Sequence, residues 1–254
     1  MSETQQDYAA AHYAPRAAGY VTSAVHAAGP DLDQIEALLA GMAGAAVLDL
    51  GCGGGHVAFR AAPHVGRVVA VDVTPAMLAQ VAAEAAGRGL ANIETLRGAA
   101  EALPCAAAEF DGVLCRFSAH HWNDLEAGLR EVRRVLKPGG LGVFIDTVAP
   151  APRVLDTHLQ AIELLRDPSH VRNYTVAEWV AALGAAGFTL EDFRLRRLHM
   201  DFPVWLARTQ TPPALAAAIR QLQHNAPEAV RRYFAVGEDG SFAIDSATFV
   251  LRAG

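Results

Sequence analysis

Val47-Leu48-Asp49-Leu50-Gly51-Cys52-Gly53-Gly54-Gly55-His56 is the stretch that decides the fold. A short apolar run enters a glycine-rich turn, and the turn opens a helical pattern, so the segment reads strand, turn, helix. Glycines let the backbone pass close to a ligand, and the first turn of a helix offers N–H groups with no intrahelical partner. A dinucleotide-binding G-x-G-x-x-G fingerprint needs a third glycine at position 56, where this chain has His56. Asp49 sits at the carboxyl end of the strand, a poor neighbour for a pyrophosphate and a good one for a ligand with cationic groups.

Working outward, short β-rich runs alternate with longer helical patterns up to about residue 150, the pattern of βαβ units building a parallel sheet. Strands are expected at Ala46–Leu50, Val68–Asp72, Ile93–Leu96, Gly112–Cys115 and Leu141–Ile145. Both faces of these runs are apolar, so helices cover the sheet on two sides. Helix starts are legible at Thr74-Pro75 and at Asn123 with Glu126, and Lys137-Pro138-Gly139-Gly140 reads as a stop before the fifth strand. Asp31-Leu32-Asp33-Gln34 reads as the cap of an earlier helix, and residues 8–28 as a looser alanine-rich helical arm. Beyond Ala149-Pro150-Ala151-Pro152 the pattern predicts a helix through Leu155, Leu159, Ile162 and Leu165. A second helix opens on a Thr175/Glu178 capping box and ends at Gly187. A sixth strand is expected over Phe193–Phe202, a helix over 213–224 and a last strand over Ser246–Arg252. The chain is expected to be one domain: a helical N-terminal arm (1–43), a ligand-binding core (44–147), and lid insertions with the final strands (148–254).

Composition supports this. With 254 residues, 52% hydrophobic and 19% charged, the chain can bury a large core, which excludes disorder as the main state. The net charge of -6 supplies no basic field for a phosphate backbone, so no nucleic-acid partner is expected. The three cysteines lack C-x-x-C spacing, which fits neither a disulfide framework nor a zinc knuckle and agrees with a reducing, cytoplasmic location. The polar start and the lack of any run near 20 apolar residues predict neither export nor integral membrane association.

A second acid, Asp72, ends the second strand 23 residues after Asp49, where a carboxylate can accept both hydroxyls of a ribose. Asp49, the glycine turn and Asp72 together favour S-adenosylmethionine, which carries an ammonium and a sulfonium and no phosphate. The segments VLDLGCGGGH (47–56), VVAVDVTPAML (68–78), GAAEALPCAAAEFDGVLCRFSAHHW (98–122) and EVRRVLKPGG (131–140) resemble, in order, the motifs of class I S-adenosylmethionine-dependent methyltransferases of the UbiE-like branch. The arm at 14–27 and RDPSHVRNYTVAEW (166–179) further resemble its YafE/YcgJ-like group. The resemblance implies a Rossmann-like, doubly wound α/β fold with seven strands, the last antiparallel. It also implies that Asp49, Gly51 and Gly53, with Cys52 and Gly55 in the same turn, line the methionine end of the cofactor, and that Asp72 and Val73 hold the ribose. Met77 would pack on the adenine, and Ala100 and Glu101 would stand at its polar edge. Many relatives have Asp after the glycine of the third segment; here Ala99 follows Gly98.

After the fourth strand, Arg116 is expected to bind beside the cofactor and to start a loop that carries His120 and His121 at the edge where α/β sheets place ligands. Either histidine could take a proton from a methyl acceptor, and Asp146, closing the fifth strand, is a second candidate base or orienting group. His170, Arg166 and Arg172 are expected on a lid facing a polar or anionic acceptor, with Tyr13, Tyr20, Trp122, Tyr174 and Trp179 as possible pocket walls. Metal ligation is not expected, because no third histidine or carboxylate stands at ligand spacing beside His120-His121. The expected reaction is methylation of carbon or oxygen on a small-molecule acceptor, by analogy a quinone-like ring. The competing readings are a non-catalytic S-adenosylmethionine-binding regulator and an NAD-dependent oxidoreductase. The oligomeric state stays open.

Overall fold

A computed structural model describes residues 4–17 and 28–254. Elements are numbered over these residues. Strands β1 (Ala46–Leu50), β2 (Arg67–Asp72), β3 (Ile93–Arg97), β4 (Phe110–Arg116), β5 (Leu136–Val148), β6 (Phe188–Met200) and β7 (Phe242–Ala253) form one sheet in the order β3-β2-β1-β4-β5-β7-β6. Strand β7 runs antiparallel to both β5 and β6, and the other pairings are parallel. Chain direction along the sheet reverses between β1 and β4, and the carboxyl ends of strands at such a switch point open into a crevice.

Alternation along the strands divides the core into two layers. Leu48, Val113 and Phe144 point to one face, where they meet Leu129 and Val132 of α5 (Leu125–Val135) and Trp179 of α7 (Val176–Ala185). Val47, Leu114 and Val143 point to the other. There they meet α2 (Pro30–Leu39), α3 (His56–Ala61) and α4 (Pro75–Gly87) through Ile35, Val57 and Val81. A third cluster joins α6 (Arg153–Arg166), α8 (Phe202–Thr209), α9 (Pro213–Asn225) and α10 (Glu228–Tyr233) through Leu159, Trp205, Ile219 and Val230. Helix α1 (Gln5–Tyr13) lies before them all. Among the described residues no helix is long and apolar enough to cross a membrane.

Several boundaries differ from the sequence reading. Leu136 already pairs with Phe110 and Leu141 with Gly112, so the Lys137–Gly140 turn is a bulge inside β5 rather than a linker before it. Strand β6 begins at Phe188, directly after Gly187 in the left-handed region (φ 85°), and pairs with β7 along most of its length. Phe202 belongs to a helix instead of closing that strand, because Asp201 caps it by accepting the Val204 N–H at 2.9 Å. Asp124, not Asn123, caps α5, accepting the Ala127 N–H at 2.9 Å. Helix α2 starts with Gly29 as its N-cap and Pro30 at the first position, with no side-chain cap, so Asp31 is left for another partner. Residues 18–27 of the expected arm lie outside the described residues.

The Thr175/Glu178 capping box forms as the sequence predicts: Thr175 Oγ accepts the Glu178 N–H and the Glu178 carboxylate accepts the Thr175 N–H. Thr175→Ala is expected to lower unfolding free energy by about 1 kcal/mol. Chemical denaturation checks this, and an unchanged midpoint would contradict it.

Candidate active site

The glycine turn is held from three sides. The Gly51 and Cys52 N–H groups donate to Val71 O (2.8 and 2.9 Å), which ties the end of β1 to β2. Gly51 has φ 68°, and a Cβ there would lie 1.9 Å from Ser118 Oγ, so only glycine lets the β1 turn and the loop after β4 close together. Asp72 Oδ2 accepts the Gly53 N–H (2.9 Å) and Oδ1 accepts the Thr74 N–H (2.8 Å), locking the turn to the start of α4. Burial raises the Asp72 pKa, against the opposing pull of these N–H groups.

A cavity of about 540 Å³ opens over this turn, within the usual range of about 300–1,000 Å³ for small-molecule sites. Its wall includes Gly51, Gly53, Asp72, Val73, Met77, Ala100, Glu101, Arg116, His120 and His121. The remaining candidates stand behind that wall. Asp49 is 1% exposed and accepts the Ala58 N–H at 2.9 Å, because its side chain alternates toward α3. Burial pushes its pKa up to about 7. Cys52 is packed in the core under α3, and Gly55 is the left-handed N-cap of that helix, against Phe59 and Val81.

Glu101 is already engaged. Its Oε1 accepts the Asn123 and Asp124 N–H groups (2.8 and 3.3 Å), and Oε2 accepts from Gln6 Nε2 (3.4 Å). Arg116 donates from Nε to Asp31 Oδ2 at 2.6 Å, pinning α2 to the end of β4. The next residue, Phe117, adopts φ 52°, a conformation costing a non-glycine residue roughly 1 kcal/mol or more. Its N–H donates to Ile145 O at 2.8 Å, which holds the loop against β5. No sequence motif signals this strain.

Asp146 and His120 form a pair. The Asp146 carboxylate is buried and accepts from His120 Nδ1 at 2.6 Å, from the His120 N–H at 3.3 Å and from the Thr147 N–H at 2.8 Å. With Nδ1 committed, the imidazole presents Nε2 as its other nitrogen, and the ring lines the cavity. Burial opposes the imidazolium, but the Asp146 carboxylate outweighs it, with help from Glu163 and Asp167, and the His120 pKa is raised above the ordinary value.

His121 is held differently. Its Nδ1 lies 3.2 Å from Ser169 O and its Nε2 3.3 Å from the Tyr13 hydroxyl. Burial and the adjacent His120 push its pKa down to about 4. Tyr13 in turn donates to Asp167, which also accepts the Ser169 N–H (2.9 Å) and hydroxyl (2.6 Å). Burial would raise the Asp167 pKa, yet His121 and these hydroxyls hold its carboxyl below the usual range.

The His170 ring lies 5.8 Å from that of His120, so a third histidine does stand close, brought by the segment after α6 that sequence spacing could not place. Among the described residues, no three such side chains are grouped so as to hold a metal. His170 itself is buried, with Nε2 2.9 Å from Gln160 Oε1. Of the expected lid arginines, Arg166 reaches the cavity wall, while Arg172 is paired with Asp156 and Glu178. Tyr13 and Trp122 line the cavity, whereas Trp179 is core, Tyr174 packs beside it, and Tyr20 lies outside the described residues. Sequence reasoning missed Asp31, Ser118, Thr147, Glu163, Trp205 and Arg208, all on the wall.

The wall suits a sulfonium nucleoside. The Asp72 carboxylate accepts the Gly53 and Thr74 N–H groups and stands on the cavity wall, where a ribose hydroxyl can reach a carboxylate oxygen. A Cβ at Gly53 would meet nothing within 4 Å, so the turn's backbone is open, and Met77 and Ala100 supply apolar surface for a base.

Comparison with known proteins agrees. The methyltransferase domain family matches residues 47–140. The chain is 46% identical over 191 residues to the uncharacterized protein YafE of Escherichia coli, spanning 75% of this chain and 92% of that one. The crystal structure of YcgJ from Bacillus subtilis is similar with a TM-score of 0.84 and 31% identity, covering 87% of this chain and 97% of that one. A demethylmenaquinone methyltransferase of Lactococcus lactis is 36% identical over 126 residues, 48% of this chain and 49% of that protein. The oxidoreductase and non-catalytic readings are thereby disfavoured. The chain belongs to the class I S-adenosylmethionine-dependent methyltransferases, in the group of YafE and YcgJ, acting on a small-molecule acceptor.

Proposed function

We propose that the acceptor is a hydroxylated, quinone-like ring, methylated on oxygen or on a ring carbon beside it. One observation carries this reading: Asp72 and the Asp146-oriented His120 face a single cavity, one at the end of β2 and the other after β4. When bound, S-adenosylmethionine supplies a methyl already activated by its positive sulfur. Gly51, Gly53, Asp72 and Val73 hold its amino-acid and ribose parts, and Asp49 acts from below by fixing the turn to α3. Met77 and Ala100 sandwich the base, and Glu101 shapes that edge through the start of α5. Arg116, tied to Asp31, steadies the loop that carries the histidines.

His120 is the base. Asp146 fixes its tautomer, so Nε2 accepts the ring hydroxyl proton as the acceptor's new bond to the methyl carbon forms and the methyl–sulfur bond breaks, its electron pair staying on the sulfur of the neutral S-adenosylhomocysteine released. The resulting phenolate character serves attack through oxygen; attack through the adjacent carbon is completed when that carbon gives up its hydrogen as a proton and His120 returns its own to the ring oxygen, so either route releases one proton. His121, with a depressed pKa and both nitrogens near partners, positions the loop and does not exchange protons. Most of the remaining acceleration comes from alignment. The likeness to demethylmenaquinone methyltransferase, over about half of each chain, supports the ring acceptor.

Because His120 must be neutral to act and its pKa is raised, turnover should fall as pH drops through a value above about 6.5. Asp146→Asn removes the anion that raises it, so the acidic limb should move to lower pH with a reduced plateau. A limb that stays in place in the variant would exclude this pair. The acceptor class is tested by incubating cell extract with the protein and methyl-labelled cofactor. Mass spectrometry is expected to show a labelled hydroxylated or methoxylated ring compound; label found only in protein or nucleic acid would overturn the proposal.

A further inference from the structure

Asn173 stands on the wall of the cavity and is 1% exposed, and its Nδ2 has no hydrogen-bond partner among the described residues. The backbone around it, by contrast, is held on every side. One side-chain amide on α6 clamps it: Gln160 Oε1 accepts the Asn173 N–H at 3.0 Å, and Gln160 Nε2 donates to Asn173 O at 2.7 Å. Just before it, the Val171 and Arg172 N–H groups donate to His120 O at 2.9 and 3.1 Å. Just after it, Tyr174 O accepts the Ala149 N–H at 3.0 Å, next to the end of β5. The segment that bears Asn173 is therefore tied to the loop that bears His120, and the two residues share one cavity.

A buried amide donor without a partner leaves the cost of its desolvation unmet, and most buried polar groups avoid this. On a cavity wall, the group that meets it comes from what the cavity receives. Resting on the ring-methylation reading above, we infer that Asn173 donates from Nδ2 to a second oxygen of the acceptor, a ring carbonyl, while the acceptor's hydroxyl meets His120. The terminal torsion of an asparagine is broad, so the amide can turn its N–H toward that oxygen without leaving a side-chain minimum. Two oxygens gripped at separate points fix the rotation of the ring in the cavity, and with it the atom that faces the sulfonium. The acceptor class is therefore a hydroxylated ring ketone. A plain phenol of the same shape leaves the amide donor unpaired and is discriminated against. Asn173 orients the acceptor and exchanges no proton with it.

Three phenols of one skeleton test this by calorimetry on the protein saturated with S-adenosylhomocysteine: 6-hydroxy-1-tetralone, 7-hydroxy-1-tetralone and 5,6,7,8-tetrahydro-2-naphthol, in which a methylene replaces the carbonyl. At least one ketone should bind about three- to tenfold more tightly than the deoxy compound, the worth of one neutral hydrogen bond. Asn173→Leu should erase this preference by weakening the ketone and not the deoxy phenol, with S-adenosylhomocysteine affinity within about twofold of the parent. A merely structural role would weaken all three phenols alike. Asn173→Ala takes its place if the leucine variant does not fold. Equal binding of ketones and deoxy compound by the unaltered protein, or a preference that survives in the variant, overturns the inference. The readings fail separately. Absence of S-adenosylhomocysteine binding by the unaltered protein counts against the cofactor. No binding of any phenol at millimolar concentration counts against the hydroxylated-ring acceptor and takes the inference with it, whereas phenol binding without ketone preference counts against the Asn173 contact alone.

Discussion

His120→Ala lowers turnover by about 10²- to 10⁴-fold and leaves the Kd for S-adenosylmethionine within about twofold of the parent, the range expected for loss of a positioned general base. The separation of the two effects follows from the geometry. His120 Nδ1 is bound to Asp146 at 2.6 Å on β5, whereas the glycine turn and Asp72 belong to β1 and β2. His121→Ala disturbs the Tyr13 and Ser169 contacts and should cost less, because the depressed pKa of about 4 makes His121 a poor base. The measurement is release of S-adenosylhomocysteine with the acceptor recovered from extract. Equal rates in the two variants would remove His120 from the chemistry.

Asp72→Ala weakens S-adenosylmethionine binding by roughly 2 to 4 kcal/mol, about 30- to 700-fold, comparable to losing a pair of hydrogen bonds to a charged group. Part of this loss is indirect. The same carboxylate accepts the Gly53 and Thr74 N–H groups, so its removal loosens the turn as well as the ribose contact. Asp72→Asn keeps an acceptor for one of those N–H groups and should fall between the parent and the alanine variant. Calorimetry beside a thermal melt separates affinity from stability, and unchanged affinity in both variants would take Asp72 out of the site.

The parallel half of the sheet was legible because its signals are local. Val47–Leu50 and Val68–Asp72 are apolar on both faces, and the glycine turn between Leu50 and His56 tolerates no other reading than a strand feeding a helix. Boundaries failed where tertiary pairing overrides local punctuation. Lys137-Pro138-Gly139-Gly140 looks like a stop, yet partners in β4 carry the strand through it as a bulge. Phe188–Asp192 carries charges and a Thr, and becomes strand because β7 lies alongside.

The site divides the same way. Asp72, Met77 and Ala100 follow strands in the motif-bearing half and reach one cavity. Asp49 looked like a ligand contact, but strand alternation turns it toward α3, a distinction that spacing alone does not make. The pairing of Asp146 with His120 joins residues 26 apart, and Tyr13 meets Asp167 across 154. Such contacts have no period or motif, since they arise only when β4, β5 and the segment after α6 converge over the same edge of the sheet.

A crystal structure of the protein with S-adenosylhomocysteine addresses the assignment of this cavity most directly. The expected density has the ribose hydroxyls within hydrogen-bond distance of both Asp72 oxygens, the base against Met77, and the sulfur on the side facing His120. A nucleoside bound elsewhere, or a cavity that takes a phosphate-bearing molecule in its place, would contradict it.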